Sequence, residues 1–425
     1  MKVLWVVNFV FPDAAEQLNM PKNISGGWLL DLSAQIAAAD GIDLTVVSMY
    51  PGAELQRLEI NNITYYLIPG GGKKAMFYSK SLLKYWQLID EAVQPDIVHL
   101  HGTEFSHGEV YLDHFPGRKY LLTLQGMLGP ISREATAYIP WHTRLFCHTA
   151  REVFHCSGMN SVKLLFKKNA KHERALISKV DYVTGRTEWD EWLARSINPQ
   201  ATYYRCFFNL RKEFYGAAKW DPAQIDRHTV YAGTAAQLSY KGGHMVVRAM
   251  AEVLKQVPDA RLILILNLDR NGKPVPSNGF QKYVLKLIKK LNIGANVDFI
   301  PPQSADGVIA RMQHAHCMVV GSSMENASST LREGMHIGVP CIAAYRGGMS
   351  YLIKDGQDGF FYDFPEYTYL AGRIEQIFAD DSLAASLSAN AIRQAEKWHD
   401  REKNTKDYID IYRKIQGEGG GKEEA

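Results

Sequence analysis

Two carboxylates, Glu325 and Glu333, stand eight positions apart in Ser323-Met324-Glu325-Asn326-Ala327-Ser328-Ser329-Thr330-Leu331-Arg332-Glu333, and Gly338-Val339-Pro340 follows shortly after. The apolar run Cys317-Met318-Val319-Val320 ahead of them has the composition of a buried strand. A strand, a short polar loop and a helix beginning near Ser328 put Glu325 at the strand's carboxyl end and Glu333 about a turn into the helix. The first amides of that helix lie between them, and their partial positive charge suits an anion. Carboxylates on either side of such a site can grip sugar hydroxyls while the amides hold a phosphate, which outlines a nucleotide-sugar site. A structural alternative stands beside this reading. Thr330-Leu331-Arg332-Glu333 has the form of a capping box, in which Glu333 only returns a hydrogen bond to the helix start.

Two further segments have the composition of phosphate grips. Val230-Tyr231-Ala232-Gly233-Thr234 ends a strand, and Lys241-Gly242-Gly243 leads into a helix, so a lysine stands at a helix entry. Ser25-Gly26-Gly27-Trp28 lies between the first strand and its helix, where paired glycines let backbone amides approach a ligand closely. Arg186, in Thr184-Gly185-Arg186-Thr187, ends another strand and offers either ligand-facing charge or a surface salt bridge.

The elements that must position these groups alternate along the whole chain of 425 residues, a length that predicts two domains. Strands are expected at Met1–Val7, Leu44–Met49, Ile63–Ile68, Asp96–His101, Tyr120–Gln125 and Val180–Gly185. A second set follows at Thr229–Gly233, Arg261–Leu266, Val297–Ile300, Cys317–Val320 and Cys341–Ala344, with helices at His244–Gln256, Gln281–Leu291 and Asp306–His314 between them. Continuous apolar strands alternating with helices predict parallel sheets covered on both faces. The fold class is therefore α/β, with two doubly wound Rossmann-like domains facing a cleft. The first spans 1–208, the second 209–398, and a helix at about 399–416 is expected to cross back to the first. Residues 417–425 read as a flexible tail.

Composition is that of an ordinary globular chain, 46% hydrophobic and 22% charged, and a formal charge of +3 gives no argument for nucleic acid. Five scattered cysteines without a Cys-x-x-Cys suit a reducing cytoplasm. The spacing of Cys147-His148 and His155-Cys156 matches no common zinc site, and no metal is expected. No run reaches the ~18 apolar residues that a membrane-spanning helix needs.

Taken together, Glu325 to Glu333 with Gly338-Val339-Pro340 and Gly347-Gly348 resembles the donor-site signature of the family 4 retaining glycosyltransferases. Lys241-Gly242-Gly243, Ser25-Gly26-Gly27, Asp96 to Gly102 and Asp355-Gly356-Gln357-Asp358-Gly359-Phe360 are similar to further landmarks of that family, in the same order. The resemblance covers nearly the whole chain. It implies the GT-B fold, a nucleotide-diphosphate sugar as co-substrate with no cofactor, and metal-independent transfer with retention to a glycan or lipid-linked glycan. Its residue roles place Glu325 on the donor sugar, Glu333 on the ribose and Lys241 on the diphosphate. Asn326, Ala327, Ser328 and Ser329 would give amides to sugar or phosphate, and Gly26 and Gly27 would line the opposite wall. The chain departs from the family pattern at two places. Gly233-Thr234 stands where the family commonly has Gly-Arg, and Gln125-Gly126 follows Thr123-Leu124 where a histidine is common. Gln125 still hydrogen-bonds a hydroxyl but carries no charge.

Basic runs at Ser161–Arg174 and at Lys73, Lys74, Lys80 and Lys84 suggest contact of the first domain with an anionic membrane at its cytoplasmic face, in cell-surface polysaccharide assembly. Two other functions remain compatible with the same residues. One is a nucleotide-sugar epimerase of this architecture; the other is a nucleotide-sugar-binding protein without turnover.

Overall fold

The computed structural model describes residues 1–21, 27–71 and 77–417. Gly26, with Ser25, and the Lys73-Lys74 pair lie outside the described residues, as does the tail after Gly417. The chain divides into two compact units. The first comprises Met1–Gly129, Lys168–Lys212 and the chain from Trp398 onward; the second comprises Pro130–Lys167 and Glu213–Lys397.

The first unit is built on an eight-stranded sheet. Its strands are β1 (Lys2–Val6), β2 (Asp43–Tyr50), β3 (Gln56–Ile60), β4 (Ile63–Pro69), β5 (Ile97–His101), β6 (Lys119–Thr123), β7 (Tyr182–Gly185) and β8 (Thr202–Arg205). They lie in the order β3-β4-β2-β1-β5-β6-β7-β8. All pairs are parallel except β3 with β4. Alternate residues of the central strands bury on opposite faces. Leu4, Val6, Val98 and Leu100 enter one core, and Val3, Trp5, Ile97 and Leu121 enter the other, so helices cover both sides as continuous apolar strands require. The helix Arg401–Gly417 closes the second of these cores with Tyr408, Ile411, Tyr412 and Ile415. Arg401 fixes its start by pairing with buried Asp31.

The second unit carries β9 (Asp226–Tyr231), β10 (Arg261–Ile265), a two-residue hairpin of β11 (Asn267–Leu268) and β12 (Pro274–Val275), then β13 (Val297–Ile300), β14 (Ala315–Val320), β15 (Cys341–Ala344) and β16 (Phe360–Tyr362). Its main sheet runs β13-β10-β9-β14-β15-β16 and is parallel throughout. Strand order reverses between β9 and β14, as it does between β1 and β5 in the first unit. Ligands of open α/β sheets sit beyond the strands' carboxyl ends at such reversals.

One assignment differs from the expected boundaries. Pro130–Lys167, expected within 1–208, packs with the second unit. The reason is local. Ser239 and Ser323 donate to the carbonyls of Ala135 and Glu134, and buried His244 donates to Ala137 at 2.8 Å. Further along, the Cys147 thiol reaches the Gly279 carbonyl at 3.4 Å and Lys282 donates to His148 at 2.7 Å. None of these partners is adjacent in sequence, so the pattern of strands and helices carried no sign of them. The chain passes between units after Lys212, four residues beyond the expected boundary at 208.

Candidate functional site

At the strand reversal of the second unit, three segments meet around about 260 Å³ of empty space lined by Thr234, Lys241, Gly321, Ser322, Glu325 and Thr330, among others. Thr234 follows β9, and Gly321 to Glu325 follow β14. Lys241 ends a short turn, Ser239–Lys241, just before the helix Gly243–Val253.

Backbone contacts set the spacing of these segments. The Ser323 amide donates to the Tyr240 carbonyl at 2.7 Å, which ties the loop after β14 to the lysine turn. Gly242 has φ +75, and a Cβ there would stand 1.8 Å from the Gly321 carbonyl oxygen, so only glycine lets the two loops come this close. Gly347 does the same from the other side. Its φ is +60, a Cβ would lie 2.1 Å from the Glu325 carbonyl oxygen, and the next amide, of Gly348, donates to that carbonyl at 3.0 Å. Glu325 is thereby held by its backbone while its carboxylate faces the pocket.

The side chains of Lys241 and Glu325 form an ion pair, and the Ser322 hydroxyl donates to the same carboxylate oxygen at 2.9 Å. With 26% and 14% of their side-chain surface accessible, both can still touch a ligand. Burial works against the Lys241 charge, but the Glu325 carboxylate and the neighbouring Tyr240 outweigh it and hold the ammonium above the ordinary lysine range.

The helix Ser329–Ile337 starts at this pocket, with Ser328 as its cap accepting from the Leu331 amide at 3.4 Å. A capping box through Thr330 and Glu333 is therefore not formed. The cap is Ser328, and Glu333 lies beyond the first turn, largely buried. Asn326, Ala327 and Ser328 are buried along the loop, and Ser329 is exposed at the first helical position. Gly233, with φ +37, begins the turn after β9. Glu325, Lys241, Thr234 and Ser328 all line the one pocket.

Gln125, Arg186 and Gly27 belong to the first unit. Gly27 opens the helix Gly27–Ala37, where a Cβ would meet the Arg211 side chain at 2.5 Å. Arg186 is no surface ion pair. It is 4% exposed, lies 4.3 Å over the Phe208 ring, and donates to the Gln125 carbonyl at 2.9 Å, with burial pulling its pKa down.

Around Gln125 the structure adds residues that the motif reading passed over. Glu104 accepts from the Gly126 amide at 3.0 Å and from Asn8 at 3.4 Å. Gly102, with φ +95, leaves room for this cluster, since a Cβ there would stand 2.4 Å from the Glu104 carboxylate and 3.1 Å from Gln125. Burial raises the Glu104 pKa. Behind it, Glu173 accepts from Thr103 and the Leu128 and Gly129 amides at 2.8, 2.8 and 3.0 Å, and burial lifts its pKa to about 7. Asn8 and Glu104 follow β1 and β5, the strands that flank the reversal. That position was the available signal for them.

Similarity to known proteins covers the second unit in sequence and nearly the whole chain in fold. Residues 224–394 match the family described as Glycosyl transferases group 1. A D-inositol 3-phosphate glycosyltransferase of Corynebacterium diphtheriae is 26% identical over 172 residues, covering 40% of this chain and 39% of the relative. An N-acetyl-alpha-D-glucosaminyl L-malate synthase of Bacillus anthracis is 28% identical over 167 residues, 39% of this chain and 40% of the relative. The matches thus span about two fifths of these curated relatives. Among solved structures, sucrose-phosphate synthase from Thermosynechococcus elongatus superposes with a TM-score of 0.71 at 16% identity, over 99% of this chain and all of that one. Anabaena HepE in complex with UDP-glucose gives 0.67 at 16%, over 97% of this chain and all of that one. At such identity the likeness establishes the fold, which is GT-B, two Rossmann-like domains in one chain.

Proposed function

We propose that this GT-B chain, whose residues 224–394 match the group 1 glycosyl transferases, is a retaining, metal-independent glycosyltransferase of the family 4 type. It moves a sugar from a nucleotide-diphosphate donor to a glycan or lipid-linked glycan in cytoplasmic assembly of cell-surface polysaccharide. The observation that carries this reading is the Lys241–Glu325 pair beside the start of the helix Ser329–Ile337, at the strand reversal of the matched domain.

Breaking the bond between sugar and phosphate leaves negative charge on the diphosphate and positive charge on the sugar. A fixed ammonium at Lys241 and the amides from Asn326 to Ser329 favour the charge-separated state over the bound donor, supplying positive charge that other enzymes draw from a metal ion. Glu325 orients sugar hydroxyls and Glu333 takes the ribose. In the first unit Gln125, whose carbonyl accepts from Arg186, would serve an acceptor hydroxyl by the family's pattern, which also gives the Gly26-Gly27 pair to the donor. Thr234, where an arginine is common in the family, leaves Lys241 as the principal cation at the diphosphate.

The test is donor turnover by the purified protein with a panel of nucleotide sugars, UDP-glucose first because HepE binds it. Nucleotide release that survives chelation and is lost in Lys241→Met supports the reading. Turnover indifferent to both Lys241→Met and Glu325→Gln would sink it.

A further inference from the structure

The segment 141–167 of the second unit turns an unusual share of large apolar side chains outward. Trp141, Leu145, Phe146, Val153, Phe154 and Leu164 are all more than half exposed, with Phe146 at 78% and Phe154 at 84%. They come from three consecutive helices, Trp141–Phe146, Ala150–Phe154 and the start of Met159–Lys179. These helices form one surface. Arg144 reaches Asn160 at 3.5 Å, and Leu145, Val153 and Ser161 border the same depression of about 620 Å³. Two of the six, Leu145 and Val153, line that depression, and so many exposed large apolar side chains within 24 consecutive residues mark an interaction site rather than ordinary surface scatter.

Its charge says what kind of partner fits. Between 141 and 167 the chain carries four basic residues (Arg144, Arg151, Lys163, Lys167) and one acidic residue, Glu152. Glu152 is already engaged with the amide and hydroxyl of Thr149, at 2.9 and 3.1 Å. Leu164 and Lys167 are exposed on their helix and Lys163, one turn before Lys167, is half-buried, while Lys282 and Lys286 from the helix Gly279–Leu291 lie close enough to act on the Cys147 thiol. Aromatic and branched tips amid cations match the boundary of an anionic bilayer, where rings enter the acyl edge and amines meet headgroup phosphates. Among the described residues no helix is long and apolar enough to cross a membrane, so attachment through this surface is interfacial.

We propose that the 141–167 surface of the second unit docks on an anionic lipid bilayer. This goes beyond the transferase reading and stands independently of it. Flotation with phosphatidylcholine vesicles, with and without phosphatidylglycerol, tests it on the full chain. The protein is expected to float with the anionic vesicles, to release as salt is raised, and to stay behind with phosphatidylcholine alone. Phe146→Ser with Phe154→Ser is expected to lower vesicle affinity by about tenfold or more, and Lys163→Glu with Lys167→Glu to remove the anionic preference. Phe146, Phe154 and Lys167 extend from the surface and Lys163 is half-buried, and unchanged circular dichroism and thermal unfolding of the variants verify that their fold is intact. Anionic-vesicle binding that both variants retain would overturn the proposal. So would a concentration-dependent dimer, broken by the phenylalanine changes, in a protein that ignores vesicles, because a second copy would then be the partner.

Discussion

Lys241 and Glu325 stand 84 positions apart in the chain and meet as an ion pair because two glycines, Gly242 and Gly347, permit the loops behind them to touch. The pair acts as one unit, so its two members are expected to fail together. Lys241→Met should lower turnover by about 10²–10³-fold, the scale for losing one fixed donor at a developing charge. Glu325→Gln should have its own cost, and the double variant should be much less impaired than the product of the two. Simple multiplication of the two effects in a donor-hydrolysis assay would mean the residues work separately.

Gly242→Ala tests the loop spacing without touching a charged group. A Cβ would collide with the Gly321 carbonyl in a backbone conformation that costs a non-glycine residue about 1–2 kcal/mol even where space is free. Lower thermal stability and weakened nucleotide-diphosphate binding by calorimetry should appear together. Binding at the parental affinity would show that the lysine turn tolerates displacement.

The elevated pKa of Lys241 fixes a pH expectation. A group that keeps its proton more firmly in the folded protein stays charged through neutral and mildly alkaline solution. Affinity for a nucleoside diphosphate should therefore not fall between about pH 7 and pH 9 on account of this residue. A fall over that range, abolished in Lys241→Arg, would contradict it.

Glu173 makes the opposite kind of prediction, on stability. Its carboxyl titrates near 7 when folded but in the ordinary carboxylate range when unfolded. The unfolded chain therefore gives up this proton first as pH rises, and stability from this group is lost progressively up to about 7. Thermal unfolding of Glu173→Gln should show a flatter dependence than the parent between about pH 5 and pH 7. Equal slopes would remove Glu173 as the source.

Tyr412 offers a test of the last helix. Its hydroxyl accepts from the Trp5 indole at 2.9 Å and lies 2.7 Å from His99, whose other ring nitrogen is 2.6 Å from Thr123. Tyr412→Phe leaves these buried groups short of a partner and should destabilise the protein by about 1–3 kcal/mol in denaturant titration. A change within error would show that the network rearranges.

Buried strands were legible because runs such as Cys341–Ala344 are apolar throughout, and this one was placed to the residue, as was Val297–Ile300, whose only polar member is Asp298. What escaped were elements whose partners lie elsewhere. The edge strand Gln56–Ile60 alternates polar and apolar residues, Thr202–Arg205 is only half buried, and Phe360–Tyr362 is three residues long. The same distinction runs through the site. Glu325 and Lys241 could be found by motif because each sits at a strand or helix end within its own segment. Glu104 and Asn8 touch only because β1 and β5, separated by three other strands in the sequence, become neighbours in the sheet. The capping alternative for Glu333 fell on a shift of two positions in where the helix begins, below what side-chain pattern alone can resolve.

The order in which the chain visits its two units has a bearing on heredity. It enters the first, leaves at Gly129, returns at Lys168, leaves again at Lys212 and comes home at Trp398. No single break releases the first unit intact, since its opening strand and its closing helix lie at opposite ends of the polypeptide. Exchange of halves between relatives by one crossover would separate Trp5 from the Tyr412 hydroxyl it donates to. Recombinants that survive should be those in which both ends travel together.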